Sequence, residues 1–170
     1  MEVAISLGSN LGNRVSLLKE ARDRLASLSS PGSSLTQAPI YQSAPVDCKD
    51  DSPDFFNTVV IIEYEGTPED LLQSCKQIEK DFGRLLDSRT GERHAPRPID
   101  LDILYFGEER LDTPDLEIPH PRMLKRLFVL KPLSDIRPYH TLPGDIVIID
   151  DHLKHLDSGE PPLTLIQASW

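Results

Sequence analysis

Asp100 and Asp102 stand two apart in the run Arg97-Pro98-Ile99-Asp100-Leu101-Asp102-Ile103-Leu104-Tyr105, which is otherwise mostly apolar or β-branched. A strand turns successive side chains to opposite faces, so both carboxylates point one way. Ile99, Leu101 and Ile103 point the other way and can enter a core. Two like charges on one strand face repel unless a cation lies between them. Arg97 adds a fixed positive fork suited to phosphate oxygens. Paired carboxylates, a hard cation and phosphate are the components of Mg²⁺-dependent phosphoryl chemistry. The alternative is a pair of solvated carboxylates on an exposed strand. The motif alone favours the solvated pair; Asp is depleted in strands, and its occurrence twice on one face raises the metal reading and leaves both open.

Three further groups could serve the same chemistry. Arg84, Arg89, Arg93 and Arg97 flank the Asp strand and could clamp a triphosphate under a covering loop. His120 sits between two prolines, with Arg126 about one helical turn on; both can bind phosphate. Phe55, Asn57 and Phe128 could hold a flat heterocycle between aromatic faces and read its edge with an amide. Asp150, Asp151, His152 and His155 resemble a metal cluster but lie in a polar segment without periodicity. No Gly-x-x-x-x-Gly-Lys-Ser/Thr phosphate loop occurs.

These side chains need a scaffold, and the chain has enough residues for one. At 170 residues it fits a single domain over 1–170 with a real core. The net charge of −10 argues against a nucleic-acid partner. Cys48 and Cys75 form neither a disulfide framework nor a zinc spacing. No apolar run spans a bilayer, and the N-terminus lacks the pattern of a signal peptide. A cytoplasmic monomer acting on small molecules is the expectation.

Residues 2–7 read as a strand, and Gly8 to Asn13 as a turn in which Asn10 or Asn13 caps the next helix. Val15, Leu18, Ala21, Leu25 and Leu28 recur at helical spacing. Residues 35–42 read as a strand that Pro39 marks as either an edge strand or a broken one, and residues 55–65 as a strong strand. Thr67-Pro68-Glu69-Asp70 starts a second helix whose apolar face is Leu71, Leu72, Cys75, Ile78 and Phe82; Gly83 stops it. Strand 99–105 carries the Asp pair, and residues 122–130 read as a short helix. Beyond Pro132 the chain is Pro-rich and gives no assignment. The order βαββαβ predicts an α+β fold, helices packed on a mostly antiparallel sheet in a ferredoxin-like arrangement. Function stays open at this level between a metal-dependent phosphoryl enzyme, an Asp-x-Asp nucleotide-sugar transferase and a non-catalytic binding module.

Gly8-Ser9-Asn10-Leu11-Gly12-Asn13, Tyr41-Gln42-Ser43-Ala44-Pro45-Val46, Phe55-Phe56-Asn57, Arg97-Pro98-Ile99-Asp100-Leu101-Asp102-Ile103-Leu104 and Pro119-His120-Pro121-Arg122-Met123 occur in that order. Together they resemble the 6-hydroxymethyl-7,8-dihydropterin pyrophosphokinase family of the folate pathway, over residues 2–135. The resemblance implies transfer of the β,γ-diphosphate of ATP to the pterin hydroxymethyl group, with release of AMP. It implies two Mg²⁺ ions on Asp100 and Asp102, and transferring phosphates bound by Arg84 and Arg97. It places Glu79, His94, Ile103, His120 and Arg126 near the nucleotide. Asn57 would bond the pterin ring, Phe55 and Phe128 would sandwich it, and the backbones of Ser43 and Val46 would meet its edge. The chain departs from the family pattern at His94-Ala95, where many members carry Trp, and at Ala44, where Pro is usual.

Overall fold

The computed structural model describes residues 1–45, 53–83 and 98–170. The chain runs β1 (Glu2–Ser9), α1 (Arg14–Ala26), β2 (Thr36–Gln37), β3 (Ile40–Ser43), β4 (Phe55–Glu63), α2 (Pro68–Asp81) and β5 (Asp100–Phe106). It continues through β6 (Leu111–Asp112), β7 (Glu117–Ile118), a 3-10 turn at Met123–Lys125, α3 (Leu127–Ile136), α4 (Ile149–Lys154) and β8 (Thr164–Gln167).

Local chemistry sets the boundaries. The Asn13 side chain accepts from Ser16 N–H at 3.2 Å and opens α1. Thr67 and Asp70 cap α2 reciprocally, with Pro68 at its first position. Gly83 follows with φ +82°, a conformation that costs glycine little. Pro39 splits the second strand expected from the sequence into β2 and β3, both paired with β4.

The large sheet has the order β5-β1-β4-β3-β8, and its paired strands run antiparallel. The βαββαβ core expected from the sequence is present as an α+β, ferredoxin-like arrangement. Both faces of the sheet are covered. Val3, Ile5 and Leu7 of β1 pack with Leu18, Ala21 and Leu25 of α1 and Leu71, Cys75 and Ile78 of α2. Ala4, Val59, Ile61 and Leu104 pack on the other side with Val129, Leu130 and Leu133 of α3 and Ile149 of α4. Full burial of each large aliphatic side chain contributes roughly 1.5–3 kcal/mol. Because β1 is covered twice, seven of its eight residues are buried, which explains its nearly continuous apolar run.

One expectation is corrected. The helix expected over 122–130 is instead a 3-10 turn, an extended Arg126 and then α3, which continues through Pro132 to Ile136. Pro132 withholds the N–H that the Phe128 carbonyl would otherwise accept, yet the residue is buried within the helix. The stretch beyond it, unassigned from sequence, forms α4 and supplies β8 to the edge of the sheet. Among the described residues no helix is long and apolar enough to cross a membrane.

Candidate active site

The face of β5 opposite α1 and α2 carries the two carboxylates. Ile99, Leu101 and Ile103 are in the core beneath those helices, so Asp100 and Asp102 point to the α3 side. The pattern then breaks: Leu104 and Tyr105 both lie on the α3 side, and Phe106 returns to the other. Ala4 pairs with Tyr105 but Ile5 pairs with Ile103, so Leu104 is an extra residue, a β-bulge. The bulge leaves the Leu104 carbonyl to accept from His120 N–H at 2.8 Å. His120 is thereby held beside the carboxylate strand.

Register assembles the rest. Gly8 pairs with Asp100 on one side and with Asn57 on the other, and Asn57 pairs with Tyr41. Directly opposed residues of an antiparallel pair share a face, so these four form one row across four strands. One step along, Phe55 pairs with Ser43. The Asn57 amide is buried, and its Nδ2 donates to Ser43 Oγ at 2.8 Å. That bond fixes the amide plane and leaves Oδ1 and the second Nδ2 hydrogen for another partner. Gly8 makes the gap beside it: a Cβ there would lie 3.1 Å from Asn57 Oδ1, 3.8 Å from Phe55 Cδ1 and 4.0 Å from Asp100 Cβ.

α3 packs on β3 and β4 and brings Arg126 and Phe128 to this face. Arg126 Nη1 lies 3.9 Å from Asp102 Oδ2, and its guanidinium carbon 5.4 Å from the Phe128 ring centre. Burial, then Arg122, lowers the Arg126 pKa, while Asp102 and Asp100 act in the opposite direction. His120 is pushed down to about 4 by burial and by the positive charges of Arg126 and Arg122. It is therefore neutral near pH 7. Its Nδ1 accepts from Arg122 N–H at 3.2 Å, which puts the ring hydrogen on Nε2 as a donor.

Two of the residues named from the sequence stand apart. Glu79 is buried on α2 and accepts from the Leu101 N–H at 2.9 Å, bracing β5 from the opposite layer. Ile103 has its side chain in the core, which leaves only its main chain to offer a ligand. Val46, Arg84, Arg89, Arg93, His94 and Arg97 lie outside the described residues. Gly8 and Tyr41 appeared in the sequence only inside motifs; their place in the row depends on a register no local signal gives.

A family model for 7,8-dihydro-6-hydroxymethylpterin-pyrophosphokinase matches residues 4–138. The chain belongs to this pyrophosphokinase family. The 2-amino-4-hydroxy-6-hydroxymethyldihydropteridine pyrophosphokinase of Porphyromonas gingivalis is 41% identical over 138 residues, covering 81% of this chain and 91% of that protein. A folate synthesis bifunctional protein of Arabidopsis thaliana is 38% identical over 159 residues, 93% of this chain but 31% of its own length. The chain thus spans less than a third of that bifunctional relative. A crystal structure of wild-type Plasmodium falciparum HPPK-DHPS with pterin and p-hydroxybenzoate superposes with a TM-score of 0.65, at 15% identity, over 90% of this chain and 42% of that one. At that identity the likeness concerns the fold. The pyrophosphokinase family match ends at residue 138, so α4 and β8 lie beyond it.

Proposed function

We propose that this chain transfers the β,γ-diphosphate of ATP to the hydroxymethyl group of 6-hydroxymethyl-7,8-dihydropterin, releasing AMP, as a step of folate biosynthesis. The observation that carries the reading is the row Asn57–Gly8–Asp100. It sets a heterocycle-reading amide and a cation-holding carboxylate on one face, with an open position between them. Membership of the pyrophosphokinase family supports the same reaction.

Asn57 binds the pterin edge through Oδ1 and its second N–H, while Ser43 keeps the amide from rotating. Phe55 and Phe128 offer aromatic faces to the ring. Val46 lies in the segment that would complete the edge contacts. Arg126 and neutral His120, donating from Nε2, hold triphosphate oxygens; Arg84, Arg97 and His94 join them by family resemblance, while Glu79 supports β5 from α2 and Ile103 offers its main chain. The hydroxymethyl oxygen attacks the β-phosphorus, the bond from that phosphorus to the α,β-bridging oxygen breaks, and AMP leaves with that oxygen. The hydroxyl proton passes to water. Such transfer needs positioning and charge stabilisation more than a strong base.

Asp100 and Asp102 fit Mg²⁺. Both are hard oxygen donors, only partly buried, about 7 Å apart along one strand face. Mg²⁺ takes one or two protein carboxylates and completes its shell with phosphate and water. When bound, two such ions supply charge neutralisation across the phosphates. The protein acts as a cytoplasmic monomer, with residues 1–170 as one pterin pyrophosphokinase domain.

The test is a pair of variants. Asp100→Ala and Asp102→Ala each remove most turnover, with circular dichroism and melting temperature preserved. Turnover retained in both would sink the carboxylate assignment.

A further inference from the structure

Helix α3 carries Arg126, Leu127 and Phe128 in its first turn, yet it starts without a local cap. Its N-cap residue is Arg126, whose side chain has no acceptor to offer the first N–H groups. The Arg126 carbonyl accepts from Val129 and Leu130, so the helix is wound from that residue on. The Leu127 N–H is met instead from far along the chain: Glu160 Oε2 accepts from it at 3.1 Å. Glu160 also acts on the Arg126 charge, together with Asp102 and Asp100.

The segment that delivers Glu160 is tied down on both sides. On one side, Asp150 of α4 accepts from Ser134 Oγ of α3 at 3.1 Å. On the other, β8 pairs with β3, the strand of Tyr41 and Ser43. Farther on, Trp170 Nε1 donates to the Ala38 carbonyl at 2.8 Å, Arg22 donates to the Trp170 carbonyl at 2.6 Å, and Gln37 Nε2 donates to the same carbonyl. The Glu160 backbone N–H is braced by Ser158 Oγ at 3.2 Å. A carboxylate so fixed can set the direction of the turn that begins α3.

We propose that Glu160 is a positioning residue for the nucleotide: it caps α3 from the far segment and holds Arg126 facing Asp102. This rests on the reading of Arg126 as a triphosphate ligand. Glu160 lies past residue 138, where the match to the family model ends, in the region that supplies α4 and β8. Glu160 would not touch the reacting atoms; it would act through Arg126 and the first turn of α3.

The experiment uses the full chain and three proteins: wild type, Glu160→Ala and Glu160→Gln. The probe is α,β-methylene ATP with Mg²⁺, whose dissociation constant is read by calorimetry. Hydrogen exchange at the Leu127 amide and the melting temperature are measured in parallel. Losing a cap of this kind costs about a fivefold change in an equilibrium constant. Glu160→Ala is therefore expected to weaken nucleotide binding about fivefold and to speed exchange at Leu127. Glu160→Gln keeps an oxygen acceptor and restores both. An unchanged dissociation constant in Glu160→Ala overturns the proposal, as does a Gln variant as weak as the Ala variant. A lowered melting temperature with nucleotide affinity intact also overturns it, since the contact would then serve stability alone. Binding is read without turnover, so a wild type that binds the analogue but makes no AMP from ATP and the pterin in a separate assay contradicts the reaction and leaves the Glu160 result standing. A wild type that does not bind the analogue contradicts both.

Discussion

Asn57 and Asp100 face each other across Gly8: the glycine pairs with one on β4 and with the other on β5. A side chain at position 8 would fill the space between the amide and the carboxylate. Gly8 is not among the glycines with positive φ, so its backbone tolerates alanine. The added methyl would instead press on Asn57 Oδ1 at 3.1 Å, and Ser43 holds that amide in place. Gly8→Ala should raise the KM for pterin about tenfold, the equivalent of about 1.4 kcal/mol, with the KM for ATP within about twofold and the melting temperature nearly unchanged. Steady-state kinetics with each substrate varied in turn decide this; an unaffected pterin KM would mean that the gap is not used.

Asn57→Ala should weaken pterin binding by about 1–3 kcal/mol, the usual range for a buried hydrogen-bonding group that loses its partner. Binding of an ATP analogue should stay close to wild type, because the amide lies on the far side of Gly8 from the carboxylates. Calorimetry with each ligand alone provides the comparison. Equal losses for both ligands would point to general damage to the sheet and remove Asn57 from the pterin site.

His120 sets a pH dependence of known sign. Its folded pKa, about 4, lies below the ordinary 6.5, so between those values the unfolded chain binds more protons than the folded one. Stability attributable to this group is whole above about pH 6.5 and falls as pH drops towards 4. His120→Asn should flatten that part of the stability curve, measured by urea denaturation at closely spaced pH. A slope unchanged by the substitution would mean that other groups carry it.

Much of the scaffold is written locally, and the reasons are visible residue by residue. Thr67, Pro68 and Asp70 announce the start of α2 through the donors and acceptors they supply. The alternation Ile99, Asp100, Leu101, Asp102, Ile103 gives the face of both carboxylates, because the period of a strand is fixed. The bulge at Leu104 has no such signature, since the extra residue shows only against β1. The part of α3 beyond Leu130 was hidden by Pro132, which reads as a stop in the sequence yet is buried within the helix. β8 leaves Leu165 and Ile166 largely outside the core and so lacks a clear period. Gly8 and Glu160 are long-range by nature: one matters through strand register, the other through a contact 33 residues away.

The central claim is the reaction, and release of AMP tests it most directly. The full chain would be incubated with Mg²⁺ and ATP, with and without 6-hydroxymethyl-7,8-dihydropterin, and the nucleotides separated. The account predicts AMP that appears only with the pterin, one equivalent for each diphosphorylated pterin formed. Folded protein yielding no AMP with both substrates present, or yielding ADP instead, would contradict it.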